Sequence, residues 1–162
     1  MSRRFGMLGV ALAVATLVLT ACGGGNEPSG GSGSPAATNV AVTLQEWAVV
    51  PAQTSAPAGK ITFNVENKGP THEHEFVVFK TDLDPGSLPA KADGSVDENG
   101  AGVQAMGEIE EFAVGSSQVK EFQLAAGKYV LFCNLVEEHA MPDMGGIPSH
   151  YKLGMRTAFT VT

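Results

Sequence analysis

Residues 129–162 read "YVLFCNLVEEHAMPDMGGIPSHYKLGMRTAFTVT". The runs at its two ends, "YVLFCNL" and "RTAFTVT", are short, rich in aromatic and β-branched residues, and bounded by Gly, Pro and Asp, so both predict β-strands. The segment between them collects Cys133, His139, Met141, Met144, His150 and Met155 in a chain of 162 residues that has only two Cys and four His. Soft sulfur and nitrogen donors at strand ends point to a metal site on a β-scaffold.

The chain upstream follows the same pattern. "NVAVTLQEWAV" (39–49) alternates through Val40, Val42 and Leu44, and "KITFNVEN" (60–67) through Ile61, Phe63 and Val65. "HEFVVFK" (74–80) is apolar on both faces, as expected of a strand inside a packed sandwich, and "QVKEFQL" (118–124) carries Val119, Phe122 and Leu124. "APAGK", "ENKGPT" and "LAAGKY" supply turns. Five to seven short strands with no long amphipathic helix predict an all-β fold, an antiparallel β-sandwich. Residues 82–107, "DLDPGSLPAKADGSVDENGAGVQAMG", read as a long acidic surface excursion with at most a helical turn. Their acids lack the ligand spacing and closing Glu of a calcium-binding EF-hand loop.

The N-terminus reads as a targeting segment. Arg3 and Arg4 precede an apolar run too short to span a bilayer, and small residues lead to Cys22. Residues 1–21 are expected to be a signal peptide. "LTAC" resembles the lipobox of bacterial lipoproteins, which implies cleavage before Cys22 and lipidation of its sulfur. Two or three acyl chains attach a protein stably, so the resemblance implies anchoring at the outer, extracytoplasmic or periplasmic, face of a membrane. Residues 22–38, rich in Gly, Ser and Pro, read as a flexible tether. Residues 39–162 are enough for one domain with one core. Removing residues 1–21 takes away Arg3 and Arg4 and no acids, leaving 8 basic against 17 acidic residues, a net charge of −9. That balance argues against nucleic acid as a partner. A lipidated Cys22 also leaves Cys133 without a disulfide partner, so this thiol needs another explanation.

Cys133 closes one predicted strand, His74 opens another, and His150 and Met155 precede the last. Two imidazoles and a thiolate in a plane, with a weak axial thioether, make a blue-copper electron-transfer site. Zinc prefers four strong ligands and is poorly served by an axial Met. Calcium and magnesium require oxygens.

With these residues the chain resembles the cupredoxins, the type 1 blue copper proteins. "NKGPTHEHEFVVF" (67–79) is similar to the family's N-x-G segment and His-led strand, and "YVLFCNL" with "SHYKLGM" (149–155) to its Cys strand and His-x₄-Met loop. The resemblance implies a Greek-key sandwich binding one copper ion through His74, Cys133, His150 and Met155. It also implies an electron carrier that cycles between Cu(I) and Cu(II) and docks to redox partner proteins, as a monomer with no small-molecule substrate. The family's second His would then lie near the surface in an apolar patch, for which Leu135, Ile147 and Tyr151 are the candidates.

Two ambiguities stay open. His139 and Met144 repeat the His-x₄-Met spacing nearer Cys133, although Gly154-Met155 leads into the last strand whereas Met144 is followed by loop sequence. His72 competes with His74; if His74 is the ligand, His72 is expected to be an exposed turn residue. Sixteen residues separate Cys133 from His150, against two to four in many cupredoxins, so residues 136–149 read as an insertion. An enzyme such as a multicopper oxidase needs more histidines than the four present. A copper chaperone or store is the alternative function, with Met106, His139, Met141 and Met144 as its Cu(I)-attracting surface.

Overall fold

A computed structural model describes residues 37–139 and 148–162. Within them the chain forms β1 (Thr38–Gln45), β2 (Ala48–Pro51), β3 (Ser55–Ala56), β4 (Gly59–Asn67), β5 (His74–Thr81), β6 (Val103–Phe112), β7 (Ser117–Leu124), β8 (Gly127–Phe132), the short helix α1 (His150–Leu153) and β9 (Arg156–Val161). The strands make two sheets, ordered β2-β1-β4-β7 and β3-β9-β8-β5-β6. Cys22 and nearly all of the expected signal and tether lie outside the described residues, as do Met141, Met144 and Ile147.

The alternation read from the sequence decides which faces meet. Val40, Val42 and Leu44 of β1 and Ile61, Phe63 and Val65 of β4 point into one core, opposite Phe76, Val78, Leu131 and Phe159 of the second sheet. Phe63 sits at its centre, with ring centroids 5.2 Å from Phe76, 5.7 Å from Phe122 and 5.6 Å from Phe159. Val119 departs from the expectation: it has the opposite parity to Phe122 and Leu124 on β7 and is 64% exposed.

Three further features differ from the sequence reading. The sheets are mixed rather than antiparallel throughout, because β1 pairs in parallel with β4 and β3 with β9. A parallel pair needs a crossover, and here the chain leaves β2, adds β3 to the opposite sheet and returns as β4. The excursion ends early, since β6 starts at Val103 and pairs with β5 at the sheet edge. Its Glu-rich sequence, in which only Ile109 and Phe112 are buried, hides it from an alternation search.

Nor is the remaining excursion only a solvated surface. Leu88 and Val96 are buried with Val77, Phe79, Val130, Phe132 and Tyr151 in a second cluster. These residues cover the outer face of the second sheet, which explains why "HEFVVF" is apolar on both sides. The segment is also tied to the chain around α1 and to Asn134, just beyond β8. Leu88 N donates to the Tyr151 hydroxyl (3.0 Å), which donates to Pro85 O (2.8 Å). Ser149 Oγ donates to Gly94 O (2.8 Å), and Val96 N donates to Asn134 Oδ1 (2.5 Å).

Candidate metal centre

Four residues converge at one end of the sandwich. His74 opens β5, Cys133 directly follows β8, His150 opens α1 and Met155 lies between α1 and β9, and all four are fully buried. The long gap between Cys133 and His150 is closed at its base by a β-bridge between Val136 and Ser149. Glu137 N donates to Pro148 O (2.9 Å) and His150 N to Leu135 O (2.9 Å). The insertion therefore leaves and rejoins the fold at nearly one point. Loop-closure cost grows only slowly with length, so such an insertion is tolerated.

Backbone bonds set the spacing of the donors. Cys133 N donates to Met155 O and Met155 N to His150 O, each at 3.0 Å. Ser149 caps α1 by accepting from Lys152 N (3.2 Å). Gly154 ends the helix at φ 130°, where a Cβ would stand 3.0 Å from Trp47 O, so glycine suits both the turn and the close approach. On the other side, buried Asn67 donates to His72 O (3.1 Å) and Phe112 O (3.0 Å) and accepts from Gly69 N (2.8 Å). Gly69 sits at φ 48°, and a Cβ there would lie 2.8 Å from Val114. The N-x-G segment is thus the latch of the turn that leads into His74.

The side chains then meet. His74 Nδ1 is 3.2 Å from His150 Nδ1, which is 3.3 Å from Cys133 Sγ, and the three residues each offer a donor atom within 4.8 Å of the others. Burial pushes the Cys133 thiol up to about 12, an effect only partly opposed by the nearby backbone of Leu135 and Glu75. Burial, and after it the neighbouring His150, pushes His74 down to about 4. Burial likewise lowers His150, against the pull of Glu137. Both imidazoles are therefore neutral near pH 7, with lone pairs available, while the sulfur keeps its proton until something replaces it.

No family model and no curated protein matches the sequence. Solved structures do match. The auracyanin of the photosynthetic bacterium Roseiflexus castenholzii superposes with a TM-score of 0.50 at 20% identity, over 80% of this chain and 99% of that one. Auracyanin A, a "blue" copper protein from the green thermophilic photosynthetic bacterium Chloroflexus aurantiacus, does so with 0.51 at 16% identity, over 78% and 100%. Rusticyanin from Thiobacillus ferrooxidans gives 0.50 at 16% identity, over 81% and 79%.

The fold is that of the cupredoxins.

At such identities the likeness is one of fold, so the fit of a metal rests on the site itself. An imidazole nitrogen from each of His74 and His150 faces the Cys133 thiol, and all three residues are fully buried. A cation at this point would replace the thiol proton and satisfy the facing lone pairs. One sulfur and two nitrogens suit the copper of a type 1 cupredoxin centre, which would be held by His74, Cys133 and His150 with Met155 alongside.

Other residues cover this centre, and the sequence reading missed them. Trp47, the one tryptophan, lies edge-on to His150 (centroids 4.7 Å) and close to His72 (5.1 Å) and His74 (6.2 Å). Its uniqueness was the only sequence signal available. Glu46 Oε1 accepts from Thr71 N (2.8 Å), Thr71 Oγ1 (3.2 Å) and His72 N (2.7 Å). Burial works to raise its carboxyl, but these bonds together hold it below the usual range. Glu75 Oε1 accepts from Asn134 N (2.6 Å), bracing the residue after Cys133; burial raises this carboxyl to about 7 despite that bond. Nothing in the spacing of Glu46 or Glu75 marks them.

Two expectations are corrected here. His150 is not a surface ligand in an apolar patch. Its imidazole is fully buried beneath Trp47 and Glu137, Tyr151 is buried in the second cluster, and Leu135 is half-buried against the main core. Nor is His72 a free turn residue: its side chain is 29% exposed, and Nδ1 bonds Glu137 Oε1 at 3.1 Å. His139 is exposed, and Met106 is half-buried against the main core.

Proposed function

We propose that this chain is a type 1 copper protein that carries single electrons, using His74, Cys133 and His150 as the strong ligands and Met155 as the weak axial one. The observation that carries this reading is the convergence of two neutral imidazoles and a thiol, all fully buried, at one end of a rigid sandwich. Bound copper would supply the one-electron couple between Cu(I) and Cu(II). The protein's part is to hold the donors in nearly the same places in both states. Cys133 N bonds Met155 O and Met155 N bonds His150 O, so three of the four ligands are tied together through the backbone, which keeps reorganisation small. Full burial favours a carrier over a copper chaperone or store, because handing over the metal itself needs an open, labile site.

The rest of the reading concerns location and partners. Cys22, lipidated after removal of residues 1–21, anchors a monomeric domain at the outer face of the membrane, and the tether lets it reach redox partners. The domain turns over no substrate itself.

The test is direct. The full chain loaded with Cu(II) shows an intense visible thiolate-to-copper band, and Cys133→Ser abolishes it; a colourless Cu(II) complex refutes the proposal. Cys22→Ser releases the protein from the membrane fraction, and an unchanged distribution refutes the anchor.

A further inference from the structure

Glu137 stands where it controls a ligand without being one. Its Oε1 lies 2.9 Å from His150 Nε2 and 3.1 Å from His72 Nδ1. The His150 side chain is fully buried and that of Glu137 is 33% exposed, so the contact joins the buried imidazole to a partly solvated carboxylate. The placement of Glu137 is itself enforced. Its N–H is bonded to Pro148 O at the base of the insertion, and His72, its second partner, is held through its own backbone by Glu46 (2.7 Å) and Asn67 (3.1 Å).

We propose that Glu137 is the positioning residue for the metal-binding tautomer of His150, with His72 as the clamp that keeps its carboxylate in place. A carboxylate only accepts, so the 2.9 Å contact requires the His150 proton to be on Nε2. Nδ1 is then left as a lone pair, aimed at the point where Cys133 Sγ (3.3 Å) and His74 Nδ1 (3.2 Å) meet. A carboxylate on the distal nitrogen also makes an imidazole a stronger donor and orients its ring; partners of this kind contribute about 10–100-fold to metal affinity. The insertion between Cys133 and His150 thus contributes a working residue, held at the point where it rejoins the fold.

This inference rests on His150 as a metal ligand, and its first test needs no metal. In the metal-free full chain, ¹⁵N shifts of His150 are expected to show Nε2 protonated and Nδ1 bare. Glu137→Gln, which can still accept from Nε2–H, keeps that tautomer, whereas Glu137→Leu shifts it towards Nδ1–H. With Cu(II) added, Glu137→Leu binds about 10–100-fold more weakly than the wild type. Glu137→Gln retains most of the affinity and has a higher reduction potential, since a negative charge near the copper favours Cu(II). A wild-type His150 protonated on Nδ1 overturns the proposal, as does a Glu137→Leu chain with the tautomer and affinity of the wild type. If Glu137→Leu does not fold, an unchanged potential in Glu137→Gln overturns it. A correct tautomer in a chain that shows no visible copper band would instead count against the electron-carrier reading and leave the role of Glu137 standing.

Discussion

Loading the metal-free chain with Cu(II) at pH 7 is expected to release one proton per ion. Metal ligands must give up their protons, so the count follows from the protonation states of the free site. His74, pushed down to about 4, and His150, held below the ordinary value of 6.5, are both neutral at pH 7 and release nothing. Cys133, pushed up to about 12, is a thiol and must lose its proton to become a ligand. The apparent affinity therefore rises about tenfold per pH unit from roughly pH 7 towards the thiol's value, because each unit of pH is a factor of ten in a one-proton exchange. At lower pH the slope steepens once the imidazoles, both held below the ordinary value of 6.5, begin to compete for protons. The assay is titration calorimetry of the full chain in two buffers of different ionisation enthalpy, which yields the proton count. Cys133→Ser lowers the count to zero. A count near zero in the wild type would refute the reasoning, since it would mean a thiolate already exists at this buried position. A count of two would show that an imidazole is protonated despite its burial.

Met155→Leu keeps the copper but raises its reduction potential, because the axial ligand tunes the couple; unchanged voltammetry would remove Met155 from the site. His139→Ala leaves the visible spectrum intact, as expected of an exposed side chain, and loss of the band would move the ligand loop to the earlier pair. Phe63→Ala, at a fully buried position against three aromatic rings, lowers stability by about 3–5 kcal/mol in denaturant titration. Asn67→Ala strands the buried Phe112 carbonyl and the part-buried His72 carbonyl, costs about 1–3 kcal/mol, and weakens copper binding by freeing the turn before His74; wild-type affinity in a destabilised variant would separate the latch from the site.

Much of the sandwich was legible because strand burial is a local property. Val40, Val42, Leu44, Ile61, Phe63 and Val65 declare their faces through parity alone, and Val119, of opposite parity to Phe122 and Leu124, is exposed despite its hydrophobicity. β6 was not legible: an edge strand buries one face at most, so its Glu-rich sequence carries little alternation. The inner role of residues 82–102 was hidden for a related reason. Leu88 and Val96 are isolated apolar residues in a polar run, and only the uncovered outer face of β5 and β8 gives them something to bury against.

The sequence by itself determined the class of fold and the kinds of donor atom, since both follow from residue type and near-neighbour spacing. The tertiary structure alone decided which donors meet. The bridge from Val136 to Ser149 brings His150 back to Cys133 across the insertion, and contacts between residues far apart in the chain set Trp47 and Glu137 over His150. Spacing cannot express such closures, because they depend on where the ends of a loop are pinned and not on how many residues lie between them.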